Sequence, residues 1–120
     1  MGVEIEETYK AMNSLVNDGK VRYIGISNET PWGLNEYLRL SRENGFSKVV
    51  SIQNPYSLLN RIYEVGLSEI TFHERVGLLA YSPLGFGVLT GKYENGGQDE
   101  YISDFLMDLF EIKPIHKTAR

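Results

Sequence analysis

Three short apolar runs, recurring at an interval of about 28 residues, constrain this chain more than any other feature of it. They are Lys20-Val-Arg-Tyr-Ile-Gly-Ile-Ser-Asn28, Lys48-Val-Val-Ser-Ile-Gln53 and Val76-Gly-Leu-Leu-Ala-Tyr-Ser82. Each is rich in strand-forming residues and each ends in hydroxyl, carboxamide or phenol side chains. A run that is apolar along its length suits a strand buried in a parallel sheet, and the interval suits one strand, one crossover helix and two connections. The expected fold is α/β, with polar residues gathered at the carboxyl ends of the strands, where α/β sheets and barrels bind ligands. Ser and Asn also end strands as ordinary turn residues. Their threefold recurrence in register favours a ligand site.

The intervening segments carry helix signals. Ile5, Tyr9, Met12, Leu15 and Val16 form an apolar stripe over residues 4–17, with Glu4, Glu6 and Glu7 in the first turn and Asp18-Gly19 at the end. Thr30 is the expected N-cap of a second helix. Pro31 takes its first position, Leu34, Tyr37, Leu38 and Ser41 face inward, and Gly45 ends it. Residues 54–60 read as a loop that starts at Asn54-Pro55, and Asn60 as the cap of a third helix burying Ile62, Val65 and Ile70. Trp32 reads either as a wall of a substrate pocket or as a hydrophobic cover over the second helix's start. His73 is expected to complement the carboxyl end of the third helix, without a catalytic role.

The third run opens into Pro83-Leu-Gly-Phe-Gly-Val-Leu-Thr-Gly-Lys-Tyr93. Glycines there let the backbone approach a ligand, amides can bind a phosphate oxygen, and Lys92 adds positive charge. The spacing fits neither the dinucleotide fingerprint nor the P-loop, so a plain flexible loop is the alternative. Beyond Glu94 the pattern changes. Residues 95–99 read as a turn, and Ile102, Phe105, Leu106, Leu109 and Phe110 recur at helical spacing up to Pro114, followed by a frayed tail in which His116 is solvated.

A chain of 120 residues fits one domain with a real core. The absence of cysteine removes disulfides, thiolate metal sites and a cysteine nucleophile, and no metal site is expected. A net charge of -4, with no basic cluster, argues against a nucleic-acid surface. No run is long enough to span a membrane and the acidic start does not resemble a signal peptide, so a cytoplasmic protein is expected.

Gly19-Lys-Val-Arg-Tyr-Ile-Gly-Ile-Ser-Asn28, Ile52-Gln53-Asn54-Pro55-Tyr56, Leu79-Ala-Tyr-Ser-Pro-Leu-Gly85 and Leu89-Thr-Gly-Lys-Tyr93, in that order, resemble the middle and later strands of the aldo-keto reductase family. Within the family they look like the branch holding bacterial Tas-like reductases and potassium-channel β subunits. The resemblance implies a (β/α)8 barrel of the TIM type that binds NADPH at its strand ends and reduces carbonyls by hydride transfer. It implies that Ser27, Asn28 and Gln53 hold the nicotinamide carboxamide and that Tyr81 stacks on the ring. Ser82, Pro83, Leu84, Gly85 and Phe86 would line the pyrophosphate, with Lys92 as a charged partner. The resemblance places residues 1–95 in a partial reductase domain and 96–120 in a divergent helical tail.

The family's catalytic tyrosine, lysine, aspartate and histidine come from strands before the matching segment. Tyr9 and Lys10 follow no motif of theirs, so no catalytic residue is nominated. A closed barrel takes about 250 residues. The expected fold is therefore a partial (β/α)8 barrel of three to four parallel strands alternating with helices, from a truncated family member inactive alone. Its open edges and apolar barrel-facing side chains would invite a second chain or self-association, and the helix around Phe105 would fold over the open side. The alternative is a non-catalytic nucleotide-binding or interaction module.

Overall fold

The computed structural model describes residues 4–93. The turn, helix and tail expected beyond Glu94 lie outside the described residues. The chain divides into two compact units, Met1–Pro83 and Leu84–Arg120.

The first unit alternates helix and strand. The elements are α1 (Ile5–Asn17), β1 (Ile24–Ser27), α2 (Pro31–Asn44), β2 (Val49–Pro55), a 3₁₀ turn (Ile62–Val65), α3 (Leu67–Glu74) and β3 (Gly77–Tyr81). The strands form one parallel sheet in the order β1-β2-β3, so each strand pairs with its neighbour in sequence. Each strand is joined to the next through a helix, the connection that parallel pairing demands. The sheet of the described residues does not close on itself.

Register decides which side chains share a face, because neighbours across a parallel pair point the same way. Ile26, Ile52 and Leu78 lie in one row, on the side packed by helices. The core there is Tyr9, Ile24, Ile26, Leu34, Tyr37, Leu38, Leu40, Val49, Ile52, Tyr63, Leu67 and Val76. The opposite face bears Gly25, Ser51 and Gly77 in one row and Ser27, Gln53 and Leu79 in the next. The apolar barrel-facing side chains expected from sequence are thus mostly small or polar, and among these six Leu79 alone is a large apolar side chain, 54% exposed.

Two side chains of α1 fix where β2 begins. Tyr9 and Asn13, one helical turn apart, grip the two sides of the residue that leads into it: the Tyr9 hydroxyl donates to Ser47 O at 2.7 Å, and Ser47 N–H donates to Asn13 Oδ1 at 2.8 Å. Tyr9 is fully buried and meets Tyr37 and Phe46 edge-on, with ring centroids 5.1 and 5.3 Å away. Burial pushes the Tyr9 and Tyr37 phenols up from their ordinary range. Leu15, expected inward, is 41% exposed, and Asn13 is the buried residue of that stretch instead.

Other expectations need correction. The first apolar run is only half strand. The amides of Lys20 and Val21 donate back to Leu15 O at 3.0 and 3.2 Å, completing the end of α1, so pairing starts at Ile24 and Tyr23 is 70% exposed. Asn54 and Pro55 extend β2 rather than opening a loop, because they pair with Ala80 and Tyr81 and a proline at a strand's end forfeits no ladder bond inside it. Asn60 does accept from the Ile62 amide at 3.3 Å, but the expected helix is broken at Gly66, whose missing side chain lets Pro31 approach. The break rotates the buried face. Tyr63, Leu67 and Thr71 go in, while Ile62 and Val65 are exposed. Thr30 and Pro31 start α2 as expected, with Thr30 accepting from Gly33 N at 3.1 Å, and Gly45 ends it in the left-handed region at φ 67°. His73 lies in the last turn of α3.

Candidate functional site

Tight pairing brings the polar ends of the three strands together. Ser27 and Gln53 face one another in register, and Pro55 faces Tyr81. The Ser27 hydroxyl donates to Gln53 O at 3.1 Å, and the Asn28 amide donates to the same carbonyl at 2.9 Å. Asn28 then takes φ 55°, turning the chain out of the strand in a conformation that asparagine tolerates better than most residues. Tyr81 reaches back from β3, donating its hydroxyl hydrogen to Asn28 Oδ1 at 2.9 Å. Ser82 follows at φ 51° and Pro83 is exposed.

These bonds determine what the tips can still offer. Asn28 is exposed and its Oδ1 is engaged by Tyr81, which leaves the Nδ2 hydrogens as donors. Ser27 Oγ donates to backbone, which leaves its lone pairs as acceptors. Gln53 is exposed and its carboxamide makes no hydrogen bond among the described residues, so it offers both. With Gln53 used as an acceptor, the adjacent strand ends present one donor group and two acceptors, a set that can match a planar primary amide, which has one acceptor oxygen and two donor hydrogens.

Trp32 is 70% exposed in the first turn of α2, so it does not cover the helix start. The carboxylates with shifted ionisation, Glu36, Glu64 and Glu74, lie in ion pairs with arginines. Arg61, and then the Tyr56 hydroxyl at 2.6 Å, hold the Glu64 carboxyl below its usual range, and Glu64 in turn raises the Tyr56 phenol. Arg42 at 2.5 Å and Lys48 hold Glu74 low, joining α2 and the residue before β2 to the end of α3. Among the described residues no group of three His, Cys, Asp or Glu side chains could hold a metal ion, and no helix is long and apolar enough to cross a membrane.

Leu84, Gly85, Phe86 and Lys92 belong to the second unit. Residues Gly85–Thr90 form 3₁₀ turns with a kink where Gly85, Phe86 and Gly87 take φ of 56°, 57° and 95°. The amides of Gly87 and Leu89 both donate to Leu84 O at 3.1 Å, and that of Gly91 donates to Val88 O at 3.3 Å. Tyr93 ties the loop by donating to Phe86 O at 3.1 Å, and Lys92 Nζ lies 4.8 Å from the centre of the Tyr93 ring. A Cβ at Gly87 would meet the far end of the Lys92 side chain, which can swing aside, so it is the positive φ of 95° that favours glycine there.

Sequence reasoning missed one residue beside the tips. Asn54 is 8% exposed on the helix-facing side of β2, and its Nδ2 donates to Glu29 O at 3.1 Å. Period-two alternation from Ile52 places position 54 on the buried side once β2 is known to run to Pro55, and a polar residue at such a position is the signal.

A sequence model of the aldo/keto reductase family matches residues 1–104. The chain is 53% identical over 96 residues to the protein tas of Escherichia coli (strain K12), an alignment covering 80% of this chain and 28% of that protein. It is 40% identical over 94 residues to an aldo-keto reductase of Babesia bovis, covering 76% and 33%. It is also 39% identical over 93 residues to the L-glyceraldehyde 3-phosphate reductase of E. coli (strain K12), covering 77% and 27%. The chain thus spans about a third or less of the length of these relatives.

Proposed function

The chain belongs to the aldo/keto reductase family, and from that premise we propose that its strand tips hold the nicotinamide end of NADP(H). In this reading Asn28 Nδ2 donates to the carboxamide oxygen, while Ser27 Oγ and Gln53 Oε1 accept the two carboxamide hydrogens. The Tyr81 ring, tethered by its hydroxyl to Asn28, covers one face of the nicotinamide. The family resemblance assigns pyrophosphate contacts to Ser82 and Pro83 in the first unit and, separately, to Leu84, Gly85, Phe86 and Lys92 in the second. The observation that carries the proposal is the convergence of Ser27, Asn28, Gln53 and Tyr81 through three hydrogen bonds, which leaves a donor and acceptor set complementary to a carboxamide.

When bound, the cofactor supplies the hydride for reduction of a carbonyl carbon, and the product oxygen then needs a proton. Tyr81 is the phenol at the tips, and its hydroxyl hydrogen is directed to Asn28 Oδ1. No residue between 4 and 93 follows the motif of the family's acid–base set. We therefore propose that this chain alone binds NADPH without turnover, and that β1 and β3 are the edges at which further strands pair to complete a barrel. One relative is by name a reductase of L-glyceraldehyde 3-phosphate, which makes a small aldehyde a suitable probe substrate.

The test is to mix the purified chain with NADPH and a reactive aldehyde, following cofactor fluorescence and absorbance together. Saturable binding with a flat absorbance trace is expected. Turnover at a rate usual for a reductase would refute the proposal that the acid–base set is absent, and a lack of binding would favour an interaction module.

A further inference from the structure

The link between β1 and α2 is only three residues, Asn28, Glu29 and Thr30; Asn28 passes through the left-handed region within it, and its direction decides where the Asn28 carboxamide points. Three contacts hold this link. The Asn28 amide donates to Gln53 O, Thr30 caps α2 through Gly33 N, and Asn54 Nδ2 donates to Glu29 O. The first two use groups that almost any strand end or helix start provides. The third depends on one side chain, on the buried face of β2, that cannot itself touch a ligand bound at the exposed tips.

Asn54 is a costly choice for stability alone. Its Oδ1 is buried and no donor among the described residues reaches it. An unpaired buried acceptor is destabilising, and Ile52 on the same face is apolar and fully buried. The feature that distinguishes asparagine from an apolar residue here is the donor to Glu29 O.

We propose that Asn54 is a positioning residue for cofactor binding: by fixing the Glu29 carbonyl it holds Asn28 left-handed and aims the Asn28 carboxamide at the nicotinamide. This rests on the reading of Ser27, Asn28 and Gln53 as the carboxamide site. It assigns to β2 two successive residues with different tasks, Gln53 contacting the ligand on one face and Asn54 setting the neighbouring contact from the other.

The test compares the full chain with its Asn54→Leu and Asn54→Asp variants by NADP+ titration, by thermal melting and by the HN–Hα coupling of Asn28, which reports φ. Asn54→Leu removes both the donor and the orphaned oxygen. It is expected to melt no lower than the parent while binding NADP+ about tenfold more weakly, the equivalent of one misaligned hydrogen bond. The Asn28 coupling should move away from its left-handed value. Asn54→Asp keeps the shape, removes the donor and should also weaken binding. A merely structural role would instead lower melting and affinity together and leave the coupling of the folded fraction unchanged. That result, or unchanged affinity and coupling in both variants, overturns the proposal. If the parent itself fails to bind NADP+, the cofactor reading falls, and the Asn28 coupling still decides whether Asn54 sets the link.

Discussion

Removing the buried side chain of Asn13 should destabilise the first unit, because it leaves a backbone donor unpaired. Asn13 Oδ1 accepts from the Ser47 amide at 2.8 Å, and Tyr9 donates to the carbonyl of the same residue at 2.7 Å. Asn13→Ala leaves a half-buried amide without an acceptor, a change that costs about 1–3 kcal/mol. Tyr9→Phe leaves a carbonyl oxygen, which has two lone pairs and tolerates the loss better, and should cost about 1 kcal/mol. Tyr9→Ala also empties a fully buried ring position between Tyr37 and Phe46 and should cost about 3–5 kcal/mol. The double variant Asn13→Ala with Tyr9→Phe should not equal the sum of the singles, because both act on one residue's backbone. Urea unfolding followed by circular dichroism measures all four. A cost below a few tenths of a kcal/mol for Asn13→Ala, with an unchanged urea slope, would refute the view that this grip sets the start of β2.

Thr30→Ala should lower stability by about 1 kcal/mol in the same assay, since it removes the acceptor for the Gly33 amide. Glu74 is held low by Arg42 and Lys48, so the stability it contributes is complete above the ordinary carboxylate range and is lost as pH falls through and below that range. Melting curves across acidic pH should show this loss, at most about 1 kcal/mol for so solvated a group, and Glu74→Gln should abolish its share. Arg75 ends α3 with φ 53°, and Arg75→Gly should raise the melting temperature by relieving a strain of about 1 kcal/mol. Trp32→Ala should change stability by less than about 0.5 kcal/mol, since the ring is largely solvated.

The sequence made the sheet legible because burial of parallel strands demands unbroken apolar runs, and all three runs became neighbours in one sheet. The caps of α2 were legible for a local reason. Thr30, Pro31 and Gly45 act within one turn of themselves, so nothing distant can override them. The third helix misled because Gly66, read as one position within it, leaves the helical region at φ -165° and ψ -35°, which separates the 3₁₀ turn from α3 and leaves Ile62 and Val65 exposed. Lys20 to Tyr23 misled in a similar way, since strand-forming side chains were outweighed by amides already committed to Leu15 O. At the site, the residue types at the strand ends could be read directly. The bond from Tyr81 to Asn28 spans 53 residues and crosses β2, and the anchoring of Glu29 by Asn54 spans 25, so neither had a local signature.

Whether the three strand ends together seat a nicotinamide carboxamide, as proposed, is read by residue-resolved NMR of the chain titrated with NADP+. Shifts are expected to concentrate at the side-chain amides of Asn28 and Gln53 and the backbone of Ser27 and Tyr81, and to be reproduced by nicotinamide alone at higher concentration. Saturation by NADP+ that leaves all four residues unmoved would contradict the proposal.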